Sequence, residues 1–544
     1  PDYYRRFQTR QARGSAMETI QESLARKDFS QAIAACGDFL KENPGDFRLP
    51  AELNESLVAS LDDLNDDQAR EAIVVLNDAL KYHPQQVPWR ETVRKLAVKA
   101  RDFEEASTQA FRLATTPRVD VKFIEDALDD LAKLGDSPFC RFQRFAIADA
   151  AVKNTLNNEA IARRAIKAAL DVGQFDTASK LFDAINKGGD DKDAELLYFQ
   201  GALLAEKRRF EESMEQVTAA IAKDPSLLDA HALRLAVLAA DPATRGQIDE
   251  AVSAMLAANP GKATAHIIAY QVYRGANPDR AQIEIERAGE LDPLHPEVVL
   301  SRAREAIKAN QIAAAVGLIQ QGWTAQPMDD RLPVLLASLH MEEGKPELAI
   351  DVLKKAMESM SFSIPIRETL ADTYLVTNRL DELDTFLEEW PTSDNPRNRS
   401  ARDFLKALAL AARSRYSESL ETLDSLMNQM VDEPERRVRA LLLSARCHAE
   451  LGRLDDRIRA LSQAVASLNE PSQRLLEQDR GQVDSNDSFV NLIRSAAREA
   501  AVLSLARASG QEESARDWVQ IDRAVSEAIR LNPGNPEAEL MRVQ

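Results

Sequence analysis

Cysteine is scarce in this chain. Its three copies, Cys36, Cys140 and Cys447, stand far apart and are odd in number, which excludes a disulfide framework and any paired Cys-x-x-Cys metal motif. Glycine (19), proline (23) and aromatic residues (6%) fit an all-β or collagen-like architecture poorly. No run of 18 or more apolar residues occurs, so nothing in the sequence spans a bilayer as a helix. Positive charge is also in deficit: 69 Lys and Arg face 88 Asp and Glu, a formal net charge of −19, and such a chain repels phosphate unless a local basic surface compensates. What is present is 44% hydrophobic and 29% charged residues, a balance that favours helices. A length of 544 residues would suggest several ordinary domains, but repeat arrays grow by stacking, so an internal period takes priority.

Such a period is visible. Short dipeptides ending in Pro close apolar segments at Asn43-Pro44, Asp224-Pro225, Asn259-Pro260, Asp292-Pro293, Gln326-Pro327 and Asn532-Pro533. The steps from Pro225 to Pro260, Pro293 and Pro327 are 35, 33 and 34 residues, the length of a helix-turn-helix repeat. In register, Ala194–Pro225 places Leu197, Gly201 and Leu204 on a first helix and Ser213, Val217 and Ala220 on a second. The same places carry Ala265, Ala269, Val272, Ala281, Ile285 and Ala288, then Val299, Ala303, Ala306, Ala315, Ile319 and Gly322. Small residues recur where paired helices must approach closely.

These residues and this spacing resemble the tetratricopeptide repeat family, and the resemblance runs over nearly the whole chain. It implies an all-α, right-handed superhelical solenoid of about fourteen helix-turn-helix repeats. The expected organisation is N-terminal repeats over 1–118, a degenerate helical pair over 119–158 containing Phe123, Ala127, Leu131 and Leu134, and a regular array over 159–470. A polar linker over 471–488 and two long helices with a closing repeat over 489–544 complete it. Extra residues around Asp241–Gly246 lengthen one connection. The segment Leu531–Glu537 reads as the start of a further repeat, and both ends are expected to continue.

Catalytic signatures are absent from the sequence: no Gly-rich phosphate loop, no His-Glu-x-x-His and no Gly-x-Ser-x-Gly. Gly135-Asp136-Ser137-Pro138 puts a serine at a turn but lacks the closing glycine. His83, His231, His266, His295, His340 and His448 fall in different repeats and form no pair at ligand spacing. Asp62-Asp63 and Asp190-Asp191 read as solvated helix ends. No catalytic, cofactor-binding or metal-binding residue is expected. The densest basic groups are Arg163, Arg164 and Lys167, and Arg436, Arg437, Arg439 and Arg446. They read as ion-paired faces or sites for acidic partner segments, not as a nucleic-acid track.

A solenoid of this kind presents a concave face built mainly from first helices, able to hold an extended peptide or a partner helix. Carrying the family's groove places over gives Glu195 and Tyr198; His266, Tyr270 and Tyr273; Arg304; and Arg439 and Arg446. Aromatic residues and Arg are frequent binding anchors. The alternative for the rings is packing between neighbouring repeats. The Lys and Asn set of chaperone-binding relatives is missing. The expectation is a non-catalytic scaffold or structural component of a multiprotein assembly, or alternatively the recognition part of an enzyme system whose catalytic region lies elsewhere. The style of the array resembles bacterial envelope scaffolds, which implies a periplasm-facing placement with an anchor preceding Tyr3-Tyr4-Arg5-Arg6-Phe7.

Overall fold

A computed structural model describes residues 2–155, 158–186, 193–240, 243–361, 363–390, 396–427, 430, 433–467, 488–532, 535 and 540–541. Among them the regular elements are helices, and no strand occurs. Asp190, Asp191, the Asp241-Pro242 pair and nearly all of the expected 471–488 linker lie outside the described residues.

Two compact units divide the chain, residues 1–363 and 364–544, with the boundary inside the stretch expected to be one regular array. In unit 1, helix hairpins follow one another from Asp2–Ala25 with Phe29–Glu42 to Arg331–Glu342 with Pro346–Ser359. In unit 2 they run from Ile364–Val376 with Leu380–Glu389 to Ser488–Ser509 with Trp518–Leu531. Within each unit, helices pack on their chain neighbours and many also touch the helix two further on, the stacking of a solenoid. The 119–158 segment joins this stack as the pair Val121–Leu134 and Pro138–Asn154.

The turn inside nine of the hairpins has one design. The residue two places before the second helix is left-handed at Lys27, Arg101, Gly173, Arg208, Asn310, Gly344, Asn378, Ser414 and Gly452. The next amide then donates back to a carbonyl five residues earlier, as in Asp102 to Ala97 (2.8 Å), Gln174 to Ala169 (2.8 Å) and Arg209 to Leu204 (3.0 Å). This is the Schellman arrangement, which satisfies carbonyls left open at a helix end. Its last residue often starts the next helix at once: Asp28 and Asp102 each cap the following helix with a carboxylate.

The Pro-containing turns between hairpins have a different cause. Before Pro44, Pro260 and Pro533, the chain leaves the helical region, as a residue preceding proline prefers. The side-chain amides of Asn43, Asn259 and Asn532 then donate to carbonyls four residues back (3.3, 3.2 and 2.9 Å). Asn thereby adds a side-chain hydrogen bond to the last turn of the helix at the point where proline ends it.

Small residues set the distance between helices. A Cβ added to Gly201 would come within 2.7 Å of Val217, and one added to Gly322 within 2.7 Å of Val299. Ala269, Ala303, Ala315 and Ala371 are fully buried. Ser213 and Ser419 add a hydrogen bond at the crossing, each hydroxyl donating 2.8 Å to the carbonyl of Gly201 or Ala407. Burying these hydroxyls is tolerated because each finds an acceptor.

Candidate functional site

Several first helices carry charges that pair across repeats. In unit 1 these charges are tied to one another from repeat to repeat. Arg94 is wholly buried and meets Glu91 (2.7 Å) and, on the next first helix, Asp130 (2.9 Å). Burial opposes its charge, but the two carboxylates outweigh that and hold the guanidinium protonated. Arg164 pairs with Asp129 (2.5 Å), Arg163 with Glu195 (3.0 Å), and Arg331 with Glu297 (2.5 Å), each one repeat away. Lys167 reaches Asp229, two repeats on. Asp171 stands among these groups with its carboxyl pushed above the usual range, first by desolvation and then by Asp229, against the pull of Lys167, Arg141 and Arg144.

Unit 2 arranges its inner face as a stripe. The first of three successive inner helices, Ile364–Val376, brings Glu368 and Asp372. The second, Pro396–Ala412, places half-buried Leu408 and Ala411 at the corresponding register, and the third, Pro434–Glu450, brings Arg439, half-buried Leu442 and Arg446. Arg436 clasps one end by bridging Glu368 (2.8 Å) on the first helix to Glu433 beside its own, with Ser400 donating to Glu433 (2.6 Å). Beyond this clasp Asp372 is exposed, with Glu368 and Arg439 as its charged neighbours. Desolvation and neighbouring Glu368 push its carboxyl up to about 6, while Arg439 opposes the shift. Arg439 is exposed and bound to Glu435 (2.7 Å). Arg446 is exposed and has no ion pair among the described residues. The result is an acidic wall, an apolar floor and a basic wall.

Three expected partner contacts are corrected by burial. Tyr198, His266 and Tyr273 are each under 10% exposed. Tyr198 belongs to the core around Phe182, Phe199 and Val217, where burial and nearby Asp229 suppress ionisation of its hydroxyl. His266 turns its Nδ1 to Glu284 at 2.7 Å. Tyr273 packs with Leu238, Met255 and Ala269, and Arg280 lies 5.5 Å from its ring centre. Tyr270 is half-buried and joins two apolar clusters. The i, i+4, i+7 spacing does place these three side chains on one helical face, but the second helix of the same hairpin and the preceding hairpin pack against it. Arg304 is exposed and remains available at its groove place.

Other sequence candidates have visible roles. Ser137 caps Pro138–Asn154, its oxygen accepting from the Cys140 amide at 3.3 Å. His295 caps Pro296–Lys308, and Nε2 of His231 lies 2.9 Å from the Pro225 carbonyl. The three cysteines are buried and free; desolvation raises Cys36 to about 12 and Cys140 to about 11. Among the described residues no group of three or more His, Cys, Asp or Glu is placed to hold a metal ion, and no helix is long and apolar enough to cross a membrane. In the basic groups, Arg163, Arg164, Lys167, Arg436 and Arg439 are bound to carboxylates, which reduces what they could offer a phosphate backbone. Glu368 and Asp372 occupy the same repeat register as the aromatic and Arg candidates but carry neither an aromatic ring nor a guanidinium.

No protein-family model matches the chain, and no curated protein matches it. Solved structures do align along nearly all of it. Yeast Tom70 shares 12% identity at a TM-score of 0.41, covering 94% of this chain and 98% of that one. The APC/C hetero-tetramer Cut9–Hcn1 shares 12% at 0.35, over 97% and 95%, and Naa15/Naa10 bound to HypK-THB shares 13% at 0.29, over 97% and 95%. All three TM-scores fall below 0.5, so these likenesses carry no weight beside the period, turns and small-residue packing seen in the chain itself. On that packing, the chain is an all-α array of helix hairpins built like tetratricopeptide repeats.

Proposed function

We propose that this chain is a non-catalytic binding scaffold that holds a protein segment in the inner groove of unit 2. The observation that supports this is the stripe from Asp372 across Leu408 and Ala411 to Arg439 and Arg446, with Arg446 unpaired among the described residues. A segment with a basic residue, then apolar residues, then an acidic residue matches it. Apolar contact supplies affinity, and the opposed charges set the direction in which the segment lies. The envelope placement belongs to the same proposal, is supported by resemblance alone, and is tested by fractionating the native cells.

Selection of peptides from a random display library against the full chain tests the groove. Base–apolar–acid sequences should be enriched, and Arg446→Glu should weaken the selected peptides by about tenfold or more, a loss of roughly 1.4 kcal/mol. Reversing both walls with Asp372→Lys and Arg446→Glu should enrich the reversed order. Unchanged binding by folded variants would remove this groove from the proposal. Crosslinks from native cells that converge on one catalytic protein would favour a recognition arm over an assembly scaffold.

A further inference from the structure

The inner face of unit 2 continues past Arg446. A buried alanine marks one place in four successive first helices, Ala371, Ala407, Ala445 and Ala501, and each of these helices touches the next. Where its contacts are defined, this alanine sits at the crossing with the second helix of its own hairpin: the Ala407 carbonyl accepts from Ser419, and Ala501 packs on Ile521 and Val525. The residue after it turns off that crossing onto the inner face, giving Asp372, Leu408, Arg446 and Val502 in order along the stack. One turn further on, half-buried Leu375, Ala411, Ala449 and Leu505 form an apolar row beneath them. On the fourth helix, Ser488–Ser509, both flanks are occupied. Glu499 pairs with Arg457, and Arg507 with Asp455 (3.1 Å), on Leu454–Ala466 of the preceding hairpin; Ala501 and Ala508 face Trp518–Leu531. Arg498 and Val502 lie on the strip between these flanks, one turn apart. Val502 is 49% exposed, and half-buried Arg498 has no ion pair among the described residues.

Resting on the groove proposed above, we infer that Val502 and Leu505 form a second apolar subsite for the same protein segment, one that takes an apolar side chain beyond the acidic residue held at Arg446. Packed helices lie about 8 to 10 Å apart. A segment in the polyproline II conformation rises about 3.1 Å per residue with about three residues per turn, so every third side chain returns to the same side about 9 Å further along. The two repeats match. A base over Asp372, an apolar residue over Leu408 and Ala411, an acid at Arg446 and a second apolar residue over Val502 then stand three places apart from one to the next. Contact with Val502 removes exposed apolar surface from water on both partners. Arg498 adds a second unpaired positive charge at this end, which disfavours a base in the last place and so gives the subsite a sign as well as a shape.

Fluorescence anisotropy with the full chain tests this, using labelled peptides that share the base, apolar and acidic residues at these intervals and differ only at the third place beyond the acid. Leucine there should bind about fivefold or more tighter than alanine, and lysine more weakly than alanine. Moving the leucine to the place directly after the acid should lose the gain. Val502→Ser should abolish the advantage of leucine while leaving the alanine peptide unchanged, and Val502→Leu, which keeps the apolar surface, should retain it; circular dichroism checks that both variants fold. If Arg446→Glu weakens every peptide but Val502→Ser alters none, the groove stands and the second subsite is wrong. If Arg446→Glu alters none of them, the groove reading fails and takes the subsite with it. Self-association of the chain without peptide, seen by sedimentation and lost in Val502→Ser, would assign this valine to a contact between copies and overturn the inference.

Discussion

Unit 1 ties its inner-face charges to one another across one or two repeats, as Arg163 does with Glu195 and Lys167 with Asp229. Unit 2 closes one end of its stripe with Arg436 and leaves Arg446 without a carboxylate among the described residues. Both units use hairpins with the same left-handed turn and the same buried small residues, as at Arg208 with Gly201 and at Ser414 with Ala407. A charge satisfied within the repeat stack reinforces curvature, whereas a charge left at the groove offers something to a partner. One repeat design can thus serve cohesion in one region and recognition in another, decided by a few inner-helix positions.

The largest effect should come from breaking cohesion in unit 1. Arg94→Ala removes the buried guanidinium between Glu91 and Asp130 and leaves buried Glu91 only the longer pair with Lys95 at 3.4 Å; breaking a buried pair in this way typically costs about 3 to 5 kcal/mol. Peptide-resolved hydrogen exchange should show this loss over residues around 87–134 and little change in unit 2. Equal loss in both units would mean that they unfold together, and the contrast drawn between them would then concern chemistry only, not stability.

Next in size is Tyr273→Ala. As a groove anchor, Tyr273 could be truncated without cost to the fold. With Tyr273 buried among Leu238, Met255 and Ala269, truncation should instead destabilise unit 1 by roughly 3 kcal/mol, in the range for large core residues cut to alanine. Ala269→Leu, which crowds the same cluster, should cost about 1 to 3 kcal/mol. Thermal melts of both variants check this, and a melt unchanged by Tyr273→Ala would return that ring to the list of partner contacts.

Much of this was legible in the sequence because the repeat writes it many times. The Pro-ended turns and the small residues at Gly201, Ala269 and Gly322 follow from local geometry that each copy must solve. The side on which a ring lies was less legible. Tyr270 and Tyr273 share a helical face, and whether the preceding repeat covers it depends on how closely the stack curls, which no single repeat specifies. Arg94 had half a local signal: Glu91 stands three residues earlier, but its second partner, Asp130, lies one repeat away. The acids at 368 and 372 are illegible for a different reason: acidic residues are common throughout a chain with 88 Asp and Glu, so two of them carry no signal until the fold sets them opposite Arg439.

A smaller effect tests the groove of unit 2 through pH. Asp372 titrates near 6 in the folded chain, above the about 3.9 of an unfolded aspartate. The folded state therefore holds this proton more tightly. That contribution to stability is complete below about pH 4 and is lost as pH rises through about 6. Asp372→Asn should flatten this part of the stability profile of unit 2, read by hydrogen exchange at pH 4.5 and 7.5. Binding of a segment whose cation sits over Asp372 should run the other way, weakening below about pH 6 as the carboxylate is neutralised. A profile unaltered by Asp372→Asn would place the titration on another group.

The smallest effect asks whether the two units really share their turn. Arg208 in unit 1 and Ser414 in unit 2 are both left-handed, at φ 56° and 60°, where a side chain with a Cβ is strained by about 1 to 2 kcal/mol. Glycine relieves that strain but loses more backbone freedom on folding, so Arg208→Gly and Ser414→Gly should each stabilise by only about 0.5 kcal/mol. Gly344→Ala, at φ 70°, should destabilise by about 1 kcal/mol for the same reason reversed. Urea midpoints measure all three. Matching gains at Arg208 and Ser414 would locate the difference between the units on their inner helices and not in their hairpins. A gain in one unit alone would mean that tertiary packing already bears on the turn there, and cohesion in that unit would extend beyond the ion pairs to the backbone itself.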